Sequence, residues 1–219
     1  ETGGKDFIWA HSSANPLQYE LREVLKSWAA KQKKQIEFPS MNLGEIQGQS
    51  RIDLSGKLIW DVSFFKNSFN VKKLNLRETA VQDLNSLEAF TSLERLNLSF
   101  TSVFDLGPLS KLENIRKLRL RFTDVSDLKP LKKISRLNIL DLYGTRVSDL
   151  SPLKEMVNLR TLLLGGTHVL DSTPLKLLKN LERLDLSGTK VSNLSSLTGM
   201  KNLLRLDLSD NPVANINSL

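Results

Sequence analysis

The sequence predicts an α/β solenoid of eight stacked 22-residue units behind an N-terminal helical cap, and three observations carry that expectation. First, the anchor leucine of an L-x-x-L-x-L pattern falls at Leu74, Leu96, Leu118, Leu140, Leu162, Leu184 and Leu206, each step being 22, with Ile52 one step earlier. A second leucine follows each anchor by two residues, from Leu54 to Leu208. Second, the rest of the unit repeats as strictly as its leucines. Third, the residues before the repeats show helical rather than 22-residue periodicity.

Within the unit, threonine stands five residues after the anchor at Thr79, Thr101, Thr123, Thr145, Thr167 and Thr189. A β-branched residue follows two further on, from Ile59 through Val81, Val103, Val125, Val147, Val169 and Val191 to Val213. Aspartate comes two residues later, at Asp61, Asp83, Asp105, Asp127, Asp149 and Asp171, with Asn193 and Asn215 closing the series. A polar column could be read as a ladder or a cation site. Short polar side chains at turns bond nearby backbone amides, so the structural reading is the expected one. Gly144, Gly165, Gly166 and Gly188 occupy the turn after the strand, where tight backbone geometry explains them.

The motif LxxLxLxxTxVxDLxPLxxLxN, as in Leu137 to Asn158, resembles the 22-residue leucine-rich repeat class best known from bacterial internalins, over roughly residues 50 to 219. A phosphatase-regulating subunit of eukaryotes also uses 22-residue units, usually with Asn where this chain has Thr. The resemblance implies a curved right-handed superhelix, with a short parallel strand of each unit on the concave face, a turn, and a 3-10 or extended return on the convex face. One unit cannot bury its own apolar stripe, whereas stacked units share a continuous core. Eight strands about 4.8 Å apart give a sheet of roughly 35 Å.

The domain division follows from the repeats. Residues 5–49 form the expected cap, in which Leu17, Leu21, Val24, Leu25 and Trp28 mark one face of a helix over Pro16 to Lys34. That face is suited to sealing the first repeat. Residues 1–4, Glu-Thr-Gly-Gly, have the form of an expression scar left after signal-peptide cleavage, which points to secretion. The last unit stops at Leu219 inside its convex return, so a longer natural protein is expected. The repeat domain is expected to be monomeric.

Composition narrows the function. With no cysteine, disulfides, cysteine nucleophiles and cysteine-based zinc sites are excluded. No apolar run of about 20 residues is present to span a membrane. His11 and His168 are the only histidines, and neither lies in a nucleophile motif. No phosphate-cradling glycine loop occurs, so no enzyme, cofactor or metal is expected. The sequons at Asn97 and Asn193 are read as accidental.

Surface recognition remains. Strand residues alternate sides, so the residues flanking the leucines face the concave surface. The second to fourth units place Lys73, Arg77, Arg95, Lys117, Arg119 and Arg121 there, with Glu78 the main acid among them. Beside these lie Phe100, Phe122, Ile139, Tyr143 and Leu163. Arginines and large apolar side chains dominate interface energetics, so these eleven residues are the candidate protein-binding site. Phe100 and Phe122 have an alternative reading, tucked over the sheet edge in place of a turn glycine. Arg119, Arg121 and Tyr143 are expected to project from the sheet and to contribute little to stability.

Through Gln49 the basic and acidic residues balance, six against six, so the formal net charge of +7 lies in the repeats. A nucleic-acid reader needs a continuous basic track, and Asp141, Asp185 and Asp207 interrupt this one. The expected partner is therefore a protein with an acidic surface, with nucleic acid or an anionic glycan less favoured. By resemblance to internalins the setting is a secreted or cell-surface protein of adhesin or receptor type. The alternative is a cytoplasmic scaffold or regulatory subunit of an enzyme such as a phosphatase.

Overall fold

The structure, a computed structural model, describes residues 49–57, 59–63 and 70–213. The expected helix from Pro16 to Lys34 and the reading of residues 1–4 lie outside the described residues, as does the chain after Val213. Eight three-residue strands form one open, curved parallel sheet in chain order: β1 Arg51–Asp53, β2 Lys73–Asn75, β3 Arg95–Asn97, β4 Lys117–Arg119, β5 Ile139–Asp141, β6 Thr161–Leu163, β7 Arg183–Asp185 and β8 Arg205–Asp207. Register is fixed by the anchor column: Ile52 faces Leu74, Leu74 faces Leu96, and so on to Leu184 facing Leu206. A slip of one residue would turn every anchor from core to solvent, which is why the pairing is uniform.

The return from each of β2 to β7 is a 3-10 turn among extended segments, at Asn85–Ala89, Gly107–Lys111, Lys129–Lys133, Ser151–Leu153, Thr173–Leu177 and Ser195–Leu197. The aspartate column opens these turns. Asp83 Oδ1 accepts the Asn85 N–H at 2.8 Å, and Asp105, Asp127, Asp149, Asp171 and Asn193 accept the N–H two residues on in the same way. Such bonds favour the ionised form: the Ser151 N–H and hydroxyl hold the Asp149 carboxyl, and the Thr173 hydroxyl and N–H the Asp171 carboxyl, below the usual carboxylate range. In four of the turns a proline occupies the first positions, where its missing N–H is no loss.

Seven apolar positions per unit fill the space between sheet and returns. In the unit beginning at Leu118 they are Leu118, Leu120, Val125, Leu128, Leu131, Ile134 and Leu137, all buried. The threonine column lies inside this core. Each Thr hydroxyl donates to the carbonyl of the leucine three residues before it, as Thr123 Oγ1 does to Leu120 O at 2.7 Å. Polar atoms are thus buried only with partners. The same rule governs the one break in the leucine columns, where Ser172 bonds Ser196 Oγ at 2.7 Å and Asn193 O at 3.1 Å.

Candidate protein-binding face

The concave face begins with the residues on either side of the anchor, and the two sides behave differently. Those just after it were expected to be displayed outward. In six units they instead serve their own turn: Asp53, Asn75, Asn97, Asp141, Asp185 and Asp207 each accept the backbone N–H two residues later, at 2.9–3.2 Å. Asp141 is only 7% exposed, so it does not interrupt a basic track as a free acid would. Arg119 and Leu163 stand in that column without an Asx carbonyl or carboxylate to make the bond.

The column before the anchor carries a row of cations. Arg51, Lys73, Arg95 and Lys117 are direct neighbours in the register of β1 to β4. With Arg119 they line a shallow concavity of about 210 Å³ whose only acidic residue is Asp53. Burial, followed by the repulsion of Arg119 and Arg95, pushes the Lys117 ammonium below its ordinary range. Among the described residues none of these five cations is in an ion pair.

Along one margin of this trough runs a ridge of rings. The Arg77 guanidinium lies 4.3 Å from the Phe100 centroid, Phe100 lies 5.0 Å from Phe122, and Phe122 meets Tyr143 edge-on at 5.5 Å. Arg121 closes the ridge, 4.5 Å from the Tyr143 centroid, with its Nε 3.5 Å from Asp141 Oδ2. Both phenylalanines occupy the turn position that is glycine in later units, and both have left-handed backbone, φ +61° at Phe100 and +52° at Phe122. Such a conformation costs an L-residue with a Cβ roughly 1–2 kcal/mol.

The rings have room because of glycines one unit later. A Cβ at Gly144 would come within 2.5 Å of the Phe122 ring, and one at Gly165 within 2.5 Å of Tyr143. The offset of 22 between Phe122 and Gly144, and between Tyr143 and Gly165, is the sequence signal for this packing, and it passes unnoticed when each column is read alone. Burial and the nearby Asp185 raise the Tyr143 phenol above its ordinary value.

The eleven candidate residues therefore divide. Lys73, Arg95, Lys117 and Arg119 form the trough, joined by Arg51, which continues their column. Arg77, Phe100, Arg121, Phe122 and Tyr143 form the ridge, half-buried against one another. Arg121 and Tyr143 do not project freely as expected, since one is tied to Asp141 and the other leans on Gly165. Ile139 and Leu163 extend the two strand columns past the run of cations in β1 to β4, Ile139 beside Lys117 and Leu163 beside Asp141. Among the described residues no group of three His, Cys, Asp or Glu is placed to hold a metal ion, and no helix is long and apolar enough to cross a membrane.

Comparison with known proteins places this geometry. The profile of Leucine Rich repeats (2 copies) matches residues 179–219. Internalin C2 of Listeria monocytogenes is similar in structure, with 27% identity over 81% of this chain and 78% of its own, at a TM-score of 0.78. A further internalin of the same organism shares 22% identity, covering 80% of this chain and 59% of its own at a TM-score of 0.73. A leucine-rich repeat protein of Leptospira interrogans shares 23% over 77% of this chain and 45% of its own, at 0.72. No curated protein matches the chain by sequence. Leucine-rich repeat folds in general are protein-binding modules rather than enzymes, their curved sheets offering extended concave surfaces. The chain is an internalin-like leucine-rich repeat protein.

Proposed function

We propose that the concave face captures an acidic surface of a partner protein, with the basic trough orienting the encounter and the ridge and its apolar neighbours supplying the buried contacts. The observation that carries this reading is where the repeat departs from its own rules. The left-handed turn position, glycine in four of the eight units and an acid at Glu78 and Asp210, carries a large ring in two consecutive units, at Phe100 and Phe122. The turn-serving Asx gives way to Arg119 in the unit of Phe122 and to Leu163 two units later. Each departure removes a local stabilising device and sets a large side chain on the concave side. Strain and lost caps of this kind concentrate at functional sites.

Electrostatics favours an acidic partner. Five cations in no ion pair, with Asp53 the one acid lining their trough, attract an anionic surface at long range and repel a basic one. Large rings and aliphatic side chains next to them provide the desolvated contacts that dominate affinity. By resemblance to internalins, the setting is a secreted or cell-surface protein that engages a protein of a host or neighbouring cell. A scaffold holding an enzyme such as a phosphatase on the same face is the second reading.

The test is affinity capture with the repeat protein and a paired variant, Arg119→Glu with Leu163→Ser, on cell-surface and cytosolic extracts. Neither residue caps its turn, so folding should be preserved. A partner retained by the parent and lost with the variant supports the reading, and its compartment separates the two settings. Equal retention by both would move binding off the concave face.

A further inference from the structure

Resting on that reading, we infer that the basic trough takes an extended acidic peptide segment that crosses β1 to β4, with an acidic side chain at every second residue and a bulky apolar residue two positions beyond the last acid. The chemistry comes from the donor inventory. Arg51, Lys73, Arg95, Lys117 and Arg119 bring only donors to the trough. Most side-chain acceptors lining it already hold a hydrogen bond, with Asp53 Oδ2 the exception among the described residues. Asp53 Oδ1 accepts from Ser55 N–H, Ser55 Oγ and Asn75 Nδ2, while Asn75 and Asn97 accept from the Arg77 and Ser99 N–H groups. A surface with spare donors and mostly committed acceptors suits a ligand made of acceptors. The crowding of Arg95, Lys117 and Arg119 also gives a counter-charge something to relieve.

The shape of that ligand follows from register. Parallel strands stand about 4.8 Å apart, so the row from Arg51 to Lys117 spans about 14 Å. An extended peptide rises about 3.3 Å per residue, so acids at i, i+2 and i+4 span about 13 Å and lie on one side of their chain. The next residue on that side, i+6, falls about 20 Å from the first. At about 19 Å from β1 the same column reaches β5, and there the cation row ends in Ile139. Leu163 lies one strand further, beside Asp141. A sulfated glycan or a nucleic acid matches the charge but has no aliphatic group to place on Ile139. A peptide has one.

The experiment measures fluorescence anisotropy of labelled synthetic peptides carrying Glu-Ser-Glu-Ser-Glu-Ser-Leu, in that order and reversed, against a control of the same composition with its glutamates consecutive. A heparin oligosaccharide and a single-stranded RNA oligonucleotide serve as the other polyanions. One of the two alternating peptides should bind at least about tenfold tighter than the control, because only it matches the row and its apolar end. The double variant Lys117→Glu/Arg119→Glu should weaken that binding by about a hundredfold, and Ile139→Ser by about fivefold. Reversal of Arg183 and Arg205, the same column in β7 and β8, should leave it within about twofold.

Three results would overturn the inference: no binding of either alternating peptide, equal binding of the control, or tighter binding of heparin or RNA with the same sensitivity to the variants. Circular dichroism of each variant separates loss of a site from loss of fold. The wider reading fails on a different result, equal capture of the natural partner by the parent and by Arg119→Glu/Leu163→Ser, and it survives one result that sinks the inference. If Leu163→Ser and Tyr143→Ala abolish capture of the natural partner while Lys117→Glu/Arg119→Glu does not, the concave face binds protein and the acidic segment is wrong.

Discussion

The C-terminal end of the concave sheet and its middle stand on the same leucines and differ in what their other side chains do. In β7 and β8 the outward residues are turned back on the chain: Asp185 accepts from both the N–H and the Oγ of Ser187, and Asp207 does the same with Ser209. After β7, Gly188 takes the left-handed turn without strain, and after β8 the short Asp210 holds it. In β4 the corresponding residues are Arg119, Arg121 and Phe122, of which Arg119 bonds nothing in its turn and Phe122 holds a left-handed backbone despite its side chain. The solenoid therefore does not need what β4 displays. The difference separates the scaffold, which is constant along the chain, from the surface it carries, which is not.

Equal scaffolds should respond equally to core damage. Leu118→Ala and Leu184→Ala each remove a buried anchor and are expected to cost about 3 kcal/mol by urea denaturation. Agreement between them within about 0.5 kcal/mol supports an evenly built core. A markedly cheaper loss at Leu118 would mean that the decorated half is already loosened, and the separation of scaffold from surface would break down.

Arg121→Glu probes where the surface does reach into the scaffold. It sets a second carboxylate beside the nearly buried Asp141 and removes the cation over Tyr143. A loss of about 2 kcal/mol is expected, since a buried charge stripped of its partner keeps its desolvation cost. Arg119→Ala, two residues earlier and in no ion pair among the described residues, should change the unfolding midpoint hardly at all. If both variants were neutral, Arg121 would belong with the free display residues after all.

A double-mutant cycle sharpens the comparison at the turns. Gly144→Ala meets the Phe122 ring and also takes a left-handed backbone, whereas at Gly188 the nearest atoms to an added Cβ are 3.7 Å away. Both substitutions carry the backbone cost of about 1 kcal/mol. The Gly144→Ala penalty should be larger by about 1 kcal/mol and should fall to the Gly188→Ala value in a Phe122→Gly background. Equal penalties in the parent would show that the ring does not depend on that glycine.

The architecture was legible because a core stacked from identical units must repeat its apolar positions, and Leu74 to Leu206 do so without a gap. The turn roles of Thr123 and Asp149 were legible for the same reason, since short polar side chains at fixed turn positions have few other bonds to make. Column reading misplaced Asp141. Alternation says only that its Cβ points away from the core, and a short carboxylate can fold back to the N–H of Tyr143. Phe100 and Phe122 stayed open between packing and display because the answer depends on neighbouring units. Their rings rest on each other and on the space above Gly144, a relation across units that one column does not contain.

The smallest expected effect concerns the convex returns, which the two regions share. The Asp149 carboxyl lies below the usual range chiefly because it accepts the Ser151 N–H. A carboxyl whose folded pKa lies below its unfolded value contributes stability above that unfolded value, here 3.8, and loses it as pH falls further. Asp171, bonded to Thr173, should behave alike. Replacing either by Asn, which already holds the equivalent position at Asn193, keeps an acceptor for the turn and removes the titration. Each variant should therefore match the parent closely at neutral pH and lose less stability on acidification below pH 3.8, a difference read from urea midpoints along a pH series. An unchanged acid slope in both variants would assign the acid sensitivity to another carboxylate, such as Asp53 on the concave side, which its bonds to Ser55 also hold below the usual range.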